Sequence, residues 1–174
     1  DKYLRGDGTW AIPATGIITE TDPTWSGNAN ETVDIGRTGK VGIGTTTPAA
    51  LLHVNGVVTG GGNVVFTGQM KMVSPGIPAV SGAGTRLMWY PDKAAFRAGQ
   101  VDGTQWDAGN TGLSSSGMGY NVAASGNYST AMGINSIAAS YGSVAIGRFN
   151  TGGGTADSWV ATDPLFEIGI GRDA

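Results

Sequence analysis

The sequence predicts an all-β chain, elongated and made of small modules, one of which is a stack of short coils. Three observations carry this prediction. Ser115-Ser-Gly-Met-Gly119, Ser129-Thr-Ala-Met-Gly133 and Ser143-Val-Ala-Ile-Gly147 recur every 14 residues, with Asn121 matching Asn135 and Ala124 matching Ala138. A fixed period with small residues at fixed phase marks a stacked repeat. The composition is turn-dense, with 31 Gly and 7 Pro in 174 residues, yet 40% hydrophobic content and five Trp argue against disorder. Finally, short runs in which apolar and polar residues alternate are separated by turn signals.

Residues 1–30 open with Leu4-Arg-Gly-Asp-Gly-Thr-Trp10 and continue as polar, loop-like sequence. Residues 31–60 read as a β-hairpin module. Val33 and Ile35 alternate with polar residues, Arg37-Thr-Gly-Lys40 turns, and Val41 and Ile43 alternate again. Thr45-Thr-Thr-Pro48 stops the strand, Pro48–His53 is the best candidate for a helical turn, and Asn55-Gly56 is a turn dipeptide. Residues 61–113 form a β-rich module. Strands are expected over 57–72 with Val64, Phe66 and Met70 near alternate phase, and a loop over 74–84. A strong hairpin follows: Thr85–Tyr90, the turn Pro91-Asp-Lys93, then Ala95–Gly99. Leu87 and Trp89 share one face; Arg86, Met88 and Tyr90 share the other.

Residues 114–150 hold the repeat. Fourteen residues are too few for a helix–turn–helix unit, and no heptad pattern accompanies them. Two short strands and two turns make one coil of a parallel β-roll, with Ala, Val and Ile filling a narrow interior and glycines at fixed phase permitting close backbone approach. Coils stack at about 4.8 Å, so three rise roughly 14 Å. A roll this thin buries little apolar surface alone and needs neighbours along the stack or other chains beside it. Residues 151–174 are a C-terminal β segment after the Gly-rich break at 152–154. Phe166-Glu-Ile-Gly-Ile-Gly171 echoes Val41-Gly-Ile-Gly44, as if another hairpin module were beginning. The abrupt ends read as those of a fragment of a longer protein.

The Ser-x-Ala-x-Gly pattern repeating every 14 residues resembles the YadA-like head repeats of trimeric autotransporter adhesins, in which three chains build a left-handed parallel β-roll. The match covers about residues 114–150, and Gly117 departs from it by replacing the alanine. Tyr3-Leu-Arg-Gly-Asp-Gly-Thr-Trp10 and Val41–Gly56 resemble phrases common in phage tail fibres and in the mosaic trimeric surface fibres of predatory bacteria. The order of a Trp-Tyr-Pro hairpin followed by Ser-x-Ala-x-Gly coils looks most like the latter. The resemblance implies an intertwined homotrimeric fibre, extracellular on a cell or virion surface, whose partners are its own two copies and a target-cell glycan or other envelope component.

Charge and chemistry narrow the function. Charged residues make up 13% of the chain and the net charge is −3. With no basic patch, nucleic acid and anionic membrane are poor partners. No apolar run is long enough for a transmembrane helix, and no signal peptide is visible. The absence of cysteine removes disulfides, thiolate metal sites and cysteine nucleophiles. Arg5-Gly6-Asp7 spells an integrin-type tripeptide but reads better as a turn anchored by Trp10. Gly36-Arg-Thr-Gly39-Lys40 fails the spacing of a phosphate loop. His53, the lone histidine, makes neither a zinc site nor a triad and is expected to be partly buried or pore-lining. Asp92, Asp102 and Asp107 suit turns better than paired glycosidase carboxylates, and no EF-hand spacing is present. No catalytic residue, metal or cofactor is assigned.

The remaining feature is aromatic: Trp89, Tyr90, Phe96 and Trp106, with Arg86 and Arg97 between. Aromatic faces stack on sugar rings and arginine holds carboxylates or phosphates. Period 2 favours Trp89 as core where three chains meet and leaves Tyr90, Arg97 and Trp106 as the surface candidates for glycan contact; Trp89 stays on the candidate list. The expected function is adhesion or target-cell recognition. The alternatives are a purely structural fibre shaft and, with less in its favour, a polysaccharide-degrading tailspike.

Overall fold

The computed structural model describes residues 3–4, 10–11, 40–56 and 64–171, and the chain divides into two compact units, Asp1–Gly62 and Asn63–Ala174. It is built of strands, with two single 3₁₀ turns and no α-helix among the described residues.

In the first unit β1 (Tyr3–Leu4) pairs antiparallel with β2 (Trp10–Ala11). The turn expected at Arg5-Gly6-Asp7 lies outside the described residues. β3 (Val41–Ile43) runs parallel to β4 (Leu52–Val54), Val41 against Leu52 and Ile43 against Val54. The expected hairpin partner, Val33 and Ile35, lies outside the described residues, and the partner found is downstream and parallel. The helical turn expected over Pro48–His53 is absent, because its second half, Leu52–Val54, extends as β4 and bonds across to β3, so the N–H groups that would close the turn back to Pro48 and Ala49 are held in extended backbone. Side-chain acceptors serve the residues before β4: Thr47 N–H donates to Thr45 Oγ1 (3.2 Å) and Ala49 N–H to His53 Nδ1 (3.2 Å). His53 itself is half-buried.

In the second unit residues 64–83 contain no strand, contrary to the alternation at Val64, Phe66 and Met70. No strand pairs with them among the described residues, so Val65 and Phe66 stay exposed. Point contacts hold the segment instead. Lys71 N–H donates to Asp92 O (2.8 Å), Gly76 N–H to Asp92 Oδ2 (2.8 Å) and Gly82 N–H to Asp107 Oδ1 (2.6 Å). The loop expected over 74–84 is present up to residue 83.

The hairpin follows as expected: β5 (Gly84–Tyr90), a 3₁₀ turn at Pro91–Lys93 and β6 (Ala95–Val101). Proline at the first position of the turn supplies its fixed φ, and Ala94 closes it in the left-handed region (φ 49°). The repeat then supplies β7 (Ser116–Tyr120), β8 (Ala123–Ala124), β9 (Thr130–Ile134), β10 (Ile137–Ala138) and β11 (Val144–Arg148), and β12 (Phe166–Ile170) comes last. The long strands form one sheet in the order β12-β11-β9-β7-β6-β5, parallel throughout except for β5–β6, and β8 pairs parallel with β10 on the other side of the coil.

Each position of the repeat has a physical task. Ala131 and Ala145 point inward and are fully buried with Ala124 and Ala138 from the opposite side. The serines close buried corners: Ser115 Oγ donates to Gly112 O (2.7 Å) and Ser143 Oγ to Ser140 O (2.8 Å). The glycines stack in one column, Gly99–Gly119–Gly133–Gly147–Gly169, across five strands. The first four have φ between 100° and 136°, and a Cβ on any of them would collide with the carbonyl oxygen of the next. Asn121 and Asn135 turn the following corner in the left-handed region (φ 52° and 50°), a conformation asparagine tolerates.

The sheet crosses the module boundaries expected at 113/114 and 150/151. β6 is already a rung of the roll, and β12 adds a further rung in register with β11 rather than opening a new hairpin.

Candidate functional site

Extending the roll through β6 decides where the aromatic region points. Arg97 pairs with Gly117 and lies in the column that continues as Ala131 and Ala145, so its side chain enters the coil. Its guanidinium donates to Phe96 O (2.8 Å), Ser115 O (2.9 Å), Ser115 Oγ (2.9 Å) and Ala124 O (3.1 Å). Among the described residues no carboxylate faces it within ion-pair distance, and burial lowers its pKa to about 10. Trp106, also buried, donates Nε1–H to Val122 O (2.9 Å), with the Arg86 guanidinium 5.5 Å from its ring centroid. Lys93 joins this end of the roll, donating to Ala108 O (2.7 Å) and Thr111 O (2.6 Å); burial and then the Arg97 charge lower its pKa. Tyr90 is 3% exposed, and its hydroxyl donates to Gly76 O. Burial, then the Asp92 charge, raises its pKa.

Tyr90, Arg97 and Trp106 are therefore corrected as surface contacts: all three are buried, Arg97 and Trp106 at the end of the first coil and Tyr90 against Gly76. The period-2 alternation of β5 holds, but within the chain its faces are exchanged. Met88 and Tyr90 point inward, while Leu87 (76% exposed) and Trp89 (42%) point outward. The acids are also occupied. Asp92 bridges Lys71 Nζ (2.9 Å), and that bond, then the Gly76 N–H, holds its carboxyl below the usual range. Asp102 accepts from Gln105 (3.1 Å); side-chain bonds with Asn121 and then Gln105 lower its pKa. Asp107 holds Gly82.

What the structure leaves uncovered is the outer face of the six-stranded sheet. Its cross-strand rows are Trp89–Phe96–Ser116–Thr130–Val144–Phe166, Leu87–Ala98–Met118–Met132–Ile146–Ile168 and Thr85–Gln100–Tyr120–Ile134–Arg148–Ile170. Ile168 is 62% exposed and Ile170 89%. At the β5 end the face holds a cleft of about 450 Å³ lined by Phe66, Leu87, Trp89 and Phe96. A contiguous apolar surface of this kind marks an interaction face. Sequence reasoning set Trp89 with Leu87 on one face and named Phe96 beside them, and missed the rest. The signal was in the repeat itself: with alanine inward, both x positions of Ser-x-Ala-x-Gly must point out, and Met118, Met132, Val144 and Ile146 occupy them.

No protein-family model, curated protein or solved structure matches the chain. No helix among the described residues is long and apolar enough to cross a membrane.

Proposed function

We propose that the chain is a segment of a homotrimeric fibre, exposed on a cell or virion surface, that serves adhesion to a target cell. The observation that carries this reading is the outer sheet face. Its middle row runs Leu87, Ala98, Met118, Met132, Ile146 and Ile168; among the described residues Leu87, Met118, Met132 and Ile168 are exposed and Ile146 is half-buried. Covering each such side chain contributes roughly 1–2 kcal/mol, enough over a whole face to exceed the ordering cost of association. Three copies packed by these faces form a closed assembly in which no copy presents the surface to solvent. The parallel stacking lengthens the object along one axis, and three identical weak sites on one rigid stalk gain affinity through multivalency.

The recognition part is tested by presenting the folded trimer to intact target cells and to an oligosaccharide array. Binding to either supports adhesion. A trimer that binds neither is a structural shaft, the reading favoured by the corner-filling roles of the aromatic residues and acids near β5.

A further inference from the structure

A second exposed aromatic feature lies on the roll, off the apolar face. Tyr128 and Tyr141 sit at corners of adjacent coils with ring centroids 5.1 Å apart and planes at 67°, edge to face. In this geometry at least one flat ring face stays clear of the pair, and Tyr128 is 46% exposed. Backbone bonds fix the corner: Tyr128 N–H to Leu113 O (2.6 Å), Asn127 N–H to Ala156 O (2.7 Å), Tyr141 N–H to Thr155 O (2.8 Å) and Gly142 N–H to Asn127 O (2.8 Å). Trp159, 59% exposed, follows Ala156 by three residues, within roughly 11 Å of chain.

Tyr128 breaks a local rule. Its corner recurs as Ser114, Tyr128 and Gly142, all in the left-handed region (φ 50°, 62° and 66°). A bulky side chain there costs on the order of 1–2 kcal/mol, and Gly142 shows what the corner accepts without strain. A strained, exposed aromatic at a corner that glycine fills in the next coil points to function rather than to folding. The chemistry of its surroundings is equally specific. No charged residue occurs from Asn121 to Gly147, hydroxyls and amides are abundant, and the charged residues of the segment bonded to the corner, Asp157 and Asp163, are both acids. Such a surface offers stacking and neutral hydrogen bonds and offers no counter-charge to a phosphate, sulfate or carboxylate.

We propose that the Tyr128–Tyr141 corner binds a neutral saccharide unit by ring stacking, an inference that rests on reading the chain as a recognition module. The test uses the folded trimer, an array of neutral hexose and N-acetylhexosamine oligomers, and calorimetric titration of the best binder. Tyr128→Asn, which keeps a residue suited to the left-handed corner, is expected to melt at the same temperature or higher and to bind roughly tenfold or more weakly. Tyr141→Leu is expected to weaken binding similarly. Unchanged affinity in both variants, or an unsubstituted trimer that binds only charged glycans or none, overturns the site. Mass measured on the same samples separates the failures: a trimer that adheres to target cells but takes no neutral saccharide overturns this site alone, whereas a folded monomer contradicts the fibre reading.

Discussion

Arg97 occupies the space that a methyl group on Gly117 would need: a Cβ built on Gly117 would lie 3.0 Å from Arg97 Cδ and 3.3 Å from Nε. This explains why the first unit of the repeat has glycine where the next two have Ala131 and Ala145. The interior column begins with a buried guanidinium, and the adjacent coil makes room for its stem.

Gly117→Ala is accordingly expected to destabilise the fold by about 1–2 kcal/mol, since overpacking against a side chain held by four acceptors leaves little room to yield. In an Arg97→Met background the same substitution should be close to neutral. A double-mutant cycle by urea unfolding reads the coupling directly. Arg97→Lys should cost more than Gly117→Ala, roughly 2–4 kcal/mol, because a single ammonium cannot reproduce the planar fork that serves Phe96 O, Ser115 and Ala124 O.

The glycine column separates two kinds of glycine. At Gly133 (φ 116°) a Cβ would strike Gly147 O, so Gly133→Ala should cost at least about 3 kcal/mol or abolish folding. At Gly142 (φ 66°) nothing lies within 4 Å, so Gly142→Ala should cost only about 1 kcal/mol. Thermal melts of the two variants should differ plainly. Equal losses would mean that close approach between coils is not what selects glycine.

Acid should loosen the 64–83 segment. The folded-state pKa of Asp92 is lowered by the Lys71 bond, then by the Gly76 N–H. Its contribution is therefore present above the unfolded carboxylate value, about 4, and is lost as pH falls through the lower folded value. Limited proteolysis within 64–83 should accelerate below about pH 4 in the unsubstituted chain, while Asp92→Asn should be cut readily at neutral pH and show less further change on acidification.

How much of this was legible follows from where the repeat keeps its period. Over 114–150 every strand could be placed, because small residues recur at one phase and a one-residue slip would turn each alanine outward. The rungs at Gly99 and Gly169 were not recognised, since they stand 20 and 22 residues from their neighbours rather than 14, with loops inserted in the coil. Missing the β6 rung misdirected Tyr90, Arg97 and Trp106: an arginine beside tryptophans reads as a surface site unless its column is known to be interior. Pro48–His53 failed differently: the parallel pairing of Leu52–Val54 with Val41–Ile43 claims its second half, a non-local partner that the local sequence does not announce.

The outer face is where association is expected. Ile146 pairs with Met132 on one side and Ile168 on the other, and it sits in the middle row with no role in the coil interior. Ile146→Glu should therefore leave the monomer fold intact by circular dichroism while preventing association, because three copies would bring like charges together in an apolar interface.

The most direct measurement is light scattering on the purified soluble chain beside Ile146→Glu. The unsubstituted protein is expected at three times the chain mass of 17.6 kDa and the variant at the mass of a single chain. An unsubstituted chain that is stably folded at 17.6 kDa, its sheet face open to water, would contradict the homotrimer.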